Sequence, residues 1–472
     1  MSLSDELAIN AWTGDERENR GSPAASVRNW GAVSRSAERP YRLAAGPAAD
    51  LNNWQDPDVG WGVVLPDVAG MTDADLAAAR DAPQPIRDLL KARNGAPVFR
   101  YRPDSNFQTL RRYYADRPAQ DPQITSAAKR GTAPGALPQY LLICGSPQQI
   151  PWELQYVLSG PCFVGRLDLD DSGLRRYVDA LVAGWADAPP AANERVVWAT
   201  DYGADDITWL MRRVVAQPIL DKLIGDNQIG AGRARGIAGA GATVEALAAA
   251  LTAQRPALIV TASHGMTGPL NDTVLMTQQL GYPVDATRAL VTPAILESWD
   301  PCGCIWYAHA CCSAGSDAQT RYDGLVAAGS ALDGTLKQIA AGVGAKTAPF
   351  PRALLSAPHP ARAFVGHVEP TFNWTLRSPQ TGQVLTTSLV YAVYDCMHRI
   401  PPEPVGRAFD GWYREVGNLL SRAAAARKRF ADVDAGVRDR ARTDAITAEL
   451  AATDRGSLVI LGDPTACLPV LL

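Results

Sequence analysis

The chain has 472 residues, 47% of them hydrophobic and 20% charged, with a formal net charge of −4. This balance supplies a globular core. It lacks the basic excess of a nucleic-acid binder and the charge density of a disordered chain. The opening "MSLSDELAINAWTGDERENRG" has no basic start followed by an apolar core, and no run of about 18 apolar residues follows, so neither export nor a spanning helix is expected. A cytoplasmic protein whose eight cysteines are reduced thiols is the matching expectation. Of these, Cys144, Cys162, Cys396 and Cys467 read as small buried hydrophobes.

Residues 1 to 80 place Trp12, Trp30, Trp54 and Trp61 among turn formers, as in "LNNWQDPDVGWGVVLPD", and read as an irregular aromatic-packed layer. "PQPIRDLLKARN" (83–94) predicts a helix stopped by Gly95, and "PVFRYR" a strand. The stretch 118–138, rich in Gly, Pro and small polar residues, reads as a linker open to nicking at Lys129 and Arg130. Beyond it short apolar runs alternate with helical stretches. The runs are "YLLICG" (140–145), "FVGRL" (163–167), "RVVWATD" (195–201), "ALIVTA" (257–262), "CIWYAHA" (304–310), "RAFVGHV" (362–368) and "SLVILG" (457–462). Helices are expected near 172–186, 206–225, 242–254, 318–330, 385–399 and 405–430. The pattern predicts an α/β domain over 139–472, mostly parallel with helices on both faces, preceded by an extension or pro-segment over 1–117.

Ligands of such sheets gather at the carboxyl ends of strands. Two strands there end in reactive residues: "ALIVTA" runs into Ser263-His264-Gly265, and "CIWYAHA" into Cys311-Cys312. An imidazole and a thiol at one rim suit nucleophilic catalysis. The amides of Gly265 and Cys311 would suit an oxyanion hole. A lone His after a strand, or a Cys within one, is by itself more often structural.

"VTASHGM" and "HACCSAGSD" resemble the His–Gly and Ala–Cys motifs of the caspase–gingipain superfamily of cysteine peptidases, most closely bacterial gingipain-like and CHAT (caspase-like) proteins. "YLLICGSPQQIPWELQYVLSGPCFVGRLDL", "ARAFVGHVEPTFNW" and "LVILGDPTACLP" are similar to other segments of these proteins, and the resemblance covers roughly 138–470. It implies a caspase-like fold and an endopeptidase with a His264–Cys311 dyad, no essential third acid and no cofactor or metal. Cys312 is the alternative nucleophile, since alternate strand residues face opposite ways. Ser313 departs from the usual glycine. The gingipain-like pattern puts a pocket acid at Glu153, implying cleavage after Arg or Lys. Trp374 and Phe372 would wall that pocket, and Arg166 would serve an acid-directed one. The substrates would be proteins or peptides, with neither nucleic acid nor membrane as a partner. A zymogen in a bacterial signalling or defence cascade is implied, opened by an activating protease or by itself at Lys129, Arg130, Arg321 or Lys346.

Three other readings compete. Cys302, Cys304, His309, Cys311 and Cys312 offer soft ligands for zinc, but at spacings a strand cannot wrap around one ion. "GIAGAGATVEAL" (236–247) has phosphate-loop glycines but lacks the Lys-Ser/Thr, and no clear strand precedes it. A catalytically silent binding protein on the same fold is the third.

Overall fold

The computed structural model describes residues 7–15, 19–22, 49–398, 400–432 and 435–471; Trp30 lies outside them. Three two-residue strands come first: β1 (Leu7–Ala8), β2 (Ala11–Trp12) and β3 (Arg20–Gly21). They are followed by β4 (Trp61–Pro66), β5 (Val98–Tyr101), β6 (Tyr140–Cys144), β7 (Phe163–Leu167), β8 (Ala191–Ala199) and β9 (Ala234–Ala238). The remainder are β10 (Pro256–Ala262), β11 (Gly265–Met266), β12 (Ile305–His309), β13 (Gly315–Ser316), β14 (Lys346–Thr347), β15 (Ala363–His367) and β16 (Leu458–Gly462).

Ten strands form one sheet in the order β5-β4-β6-β7-β16-β15-β12-β10-β8-β9. Every neighbouring pair is parallel except β15 and β16. The sheet is therefore two parallel five-strand halves pointing opposite ways, joined at one antiparallel seam. Carboxyl ends of β8, β10, β12 and β15 share one rim; those of β4, β6 and β7 share the other. The α/β architecture expected from the sequence is present, and the segment before 118 supplies two of its strands, β4 and β5.

The central strands are buried from end to end, as both faces are covered. Alternate residues enter opposite layers. Trp306 and Ala308 pack with helices Gln84–Ala92, Asp171–Val182 and Val244–Gln254. Ile305 and Tyr307 pack with helices Ile207–Met211 and Gln217–Ile224 and with Trp412 and Tyr413 of the long helix Asp410–Asp432. No helix among the described residues is long and apolar enough to cross a membrane.

Two expectations are corrected. Residues 318–330 are turns rather than helix; the helix is Ala331–Val343. Gly324 and Gly329 take left-handed φ of 77° and 74°, and the Ser330 side chain caps Asp333 N, so helix nucleation waits until after them. A strand, β9, contains Gly236 and does precede Gly239 and Gly241. The helix that follows has Val244 N bonded to Asp285 Oδ2 at 2.9 Å, so the chain's own carboxylate takes the place an anion would use.

Where β7 lies beside β16, a Cβ on Gly165 would lie 2.1 Å from the Gly462 carbonyl oxygen. That neighbour is backbone and has no rotamer to escape into. Gly165→Ala is expected to cost about 3 kcal/mol, the upper range for overpacking. It should appear as a lower urea midpoint at unchanged slope. An unchanged midpoint would mean β7 and β16 shift apart freely.

Candidate functional site

β8, β10 and β12 are adjacent and in register, with Ala262 beside both Ala199 and His309. What leaves their carboxyl ends therefore meets at one rim. His264 stands two residues past β10 and Cys311 two residues past β12. The main chains touch: a Cβ on Gly265 would be 1.9 Å from the Cys311 carbonyl oxygen, and one on Gly281 would be 2.1 Å from that of Cys312. Only glycine permits such an approach. Cys312 itself takes φ 53°, a left-handed value that is costly for a residue with a side chain. The chain thus turns sharply just after Cys311. Ser313 Oγ holds the turn, accepting from His367 N at 3.0 Å.

His264 is fully buried, with its ring 5.5 Å from that of Tyr202 and 5.8 Å from that of Trp12. Nε2 lies 3.0 Å from Asp206 Oδ2, and Nδ1 lies 2.9 Å from the Asn10 carbonyl oxygen. Both ring nitrogens face acceptors. Asp206 arrives from the loop after β8 and caps the helix Ile207–Met211, accepting from Thr208 N at 2.8 Å. Burial pushes its carboxyl up. The His264 hydrogen bond and charge, with the Thr208 bonds, outweigh that and hold it down to about 2. No motif in the sequence marks this acid as a partner of His264. Its signal was "GADDITW", a helix cap at the end of the strand flanking β10.

Cys311 is fully buried, and its Sγ accepts from Thr371 N at 3.2 Å. Burial pushes the thiol well above its ordinary 9.0. Cys312 is also buried, with its N–H 3.4 Å from the Glu369 carbonyl oxygen. Trp374 and Phe372 pack in the same apolar cluster as both cysteines.

Glu153 is half-buried in the first turn of helix Trp152–Ser159. β6, which leads into it, runs against β10 and β12 and ends at the other rim. The described hydrogen bonds and ion pairs join Glu153 to neither His264 nor Cys311. Arg166 is buried and spent on Gln155 Oε1 and the carbonyls of Gly145 and Pro151. Burial lowers it to about 10. A cavity of about 220 Å³ does open beside His264, lined by Asp205, Asp206, Tyr202, Ile9 and Arg20.

Of the candidate processing positions, Lys129 and Lys346 are exposed. Arg130 is held by Cys162 Sγ and the Thr125 carbonyl. Arg321 stacks 4.4 Å over Tyr156, while its N–H donates to Glu369. All eight cysteines are free. The soft ligands weighed for zinc do not converge, since Cys302 and Cys304 precede β12 and Cys311 and Cys312 follow it, about 17 Å away along a five-residue strand. Among the described residues Asp300, Cys302 and His359 do cluster, with Arg255 Nη2 3.3 Å from the Cys302 sulfur.

No protein-family model, curated protein or solved structure matches the chain significantly.

Two carboxyls near this rim are raised to about 7, Glu369 and Asp454, both chiefly by burial. Each binds its proton more tightly folded than unfolded. Their contribution is full below the ordinary carboxylate range and is lost as pH rises through about 7. The thermal midpoint is expected to fall across that window and Asp454→Asn to flatten the fall; parallel wild-type and variant curves would contradict it.

Proposed function

We propose that the chain is a cysteine endopeptidase of the caspase–gingipain type, with Cys311 as nucleophile and His264 as acid–base. One observation carries the reading. The Gly265 N–H and His264 Nδ1 converge on a single peptide carbonyl oxygen, at 3.1 and 2.9 Å, beside the buried Cys311 thiol. Two such groups aimed at one carbonyl are what acyl transfer requires. The motifs "VTASHGM" and "HACCSAGSD" resemble those of that superfamily at the same positions.

In this reading His264 takes the Cys311 proton and Sγ bonds to the substrate carbonyl carbon. The oxygen becomes an oxyanion facing the Gly265 N–H. As the C–N bond breaks, the imidazolium returns the proton to the departing amine. Water then attacks the thioester, its proton going to His264, and the thiol is regenerated. Asp206 is a positioning residue that fixes the ring by its hydrogen bond to Nε2.

Carboxylates beside His264 support a preference for Arg or Lys before the scissile bond. Asp205 is the better placed acid. Asp206 is engaged by His264 and Thr208, and Glu153 follows a strand that ends at the opposite rim. The alternative, a silent binding protein on this fold, is favoured by one fact: the Cys311 thiol has no exposed surface.

Fluorogenic peptides randomised before the scissile bond are the test. Cleavage after Arg or Lys is expected, vanishing in Cys311→Ala; activity surviving that change would sink the reading. Asp206→Asn should lower kcat about 10²-fold with little change in KM. Asp205→Asn should flatten the basic preference about tenfold, as loss of a charged contact does, and Glu153→Gln should leave it.

A further inference from the structure

The rim holding His264 and Cys311 is occupied by the chain's own N-terminal segment. Ile9 bridges Phe372 in antiparallel fashion, and Asn10 N donates to the Thr371 carbonyl at 3.1 Å. On its other edge the segment pairs in parallel, Ala11 with Gly265 and Trp12 with Met266. Thr267 N donates to the Trp12 carbonyl at 3.2 Å. The segment is therefore a strand filling a slot between 265–267 and 371–372. Ile9 and Ala11 are buried against Cys311, Cys312 and Phe372. Trp12 lies over His264. The Asn10 carbonyl oxygen is the one that both Gly265 N and His264 Nδ1 face.

We propose that residues 7–12 are a substrate-mimicking strap that keeps this groove closed, and that the groove opens to an extended polypeptide only when the strap leaves. The mimicry rests on the peptidase reading; the closure does not. A substrate carbonyl needs the donors that Asn10 now uses, and a substrate main chain needs the edges that Ile9 to Trp12 now pair. Occupancy by the strap and by a substrate are mutually exclusive.

The strap is held imperfectly. The Asn10 side chain is fully buried, yet neither its Nδ2 nor its Oδ1 has a partner among the described residues. Thr267 Oγ1 and Thr371 Oγ1, on the two walls of the slot, are likewise unpaired there. Buried polar groups without partners disfavour the state that buries them. The main chain of the strap is paired to both walls of the slot, while its side chain at the centre does not satisfy the slot. A strap so held can be displaced.

The test uses the full chain and two substitutions of opposite sign. Ala11→Asp puts a charge into an apolar site and should expel the strap. Asn10→Leu keeps the main-chain carbonyl, removes the unpaired amide and should tighten it. The readout is the rate at which iodoacetamide modifies Cys311, resolved by peptide mass mapping, with Cys144 and Cys304 as buried controls. Ala11→Asp should raise that rate at least ~10-fold, as expected when a rarely open state becomes the main one. Asn10→Leu should lower it. A synthetic peptide of residues 7–22 should restore protection to Ala11→Asp. Equal rates in wild type and both variants would overturn the strap, as would rapid labelling of wild-type Cys311. If Ala11→Asp labels Cys144 and Cys304 as well, the chain has unfolded and Asn10→Leu decides alone: no slowing overturns the proposal. Cys311 opened by Ala11→Asp without any peptide cleavage would uphold the strap and remove the peptidase reading.

Discussion

The in-register parallel pairing of β8, β10 and β12 is the constraint on which the rest depends. Their last residues, Ala199, Ala262 and His309, lie side by side, so the strands finish level. The three connections leaving them therefore meet at one edge, although Asp206, His264 and Cys311 are far apart in sequence. Close main-chain contact then fixes their relative positions. Gly265 lies on Cys311 and Gly281 on Cys312, with no side chain between. The left-handed turn at Cys312 is the local cost, and it is held by bonds from Ser313 and by the packing of β15 beside it.

The second constraint is the reversal at β15 and β16. It gives each half of the sheet its own carboxyl rim, so groups that look equivalent in the sequence end on opposite sides. Arg166 illustrates the physics. A guanidinium with no exposed surface is tolerable because three of its nitrogens donate to an amide and two main-chain carbonyls. It ties β7 to the loop after β6 and has nothing left for a ligand.

The N-terminal strand changes what the rim can do. With Asn10 in place, the thiol is buried in hydrocarbon, where its ionisation is strongly disfavoured, and both polar edges of the slot are paired. Buried main chain needs hydrogen-bond partners, and the strap finds them on both walls of the slot. The incomplete satisfaction of the Asn10 side chain works in the opposite direction. Closure and release are set by this balance rather than by any single strong bond.

The sequence alone determined the alternation of elements. Seven short apolar runs beyond residue 139 are too brief for helices and became strands close to the expected bounds, because burial on both faces leaves an unbroken apolar signature. It also placed His264 and Cys311 at strand ends, since the strands themselves were legible. The helix expected at 318–330 began instead at Ala331, because turn glycines and the Ser330 cap outweighed the apolar periodicity before them. Only the tertiary structure decided which strand ends share a rim. Strand order and direction follow from long-range pairing, which leaves no periodic trace in a single chain. Asp206 beside His264, Glu153 on a helix reached from the opposite rim, and Asn10 between the imidazole and Gly265 are all consequences of that pairing. Each is an ordinary polar residue in its own stretch of sequence; its role comes from what a distant strand brings next to it.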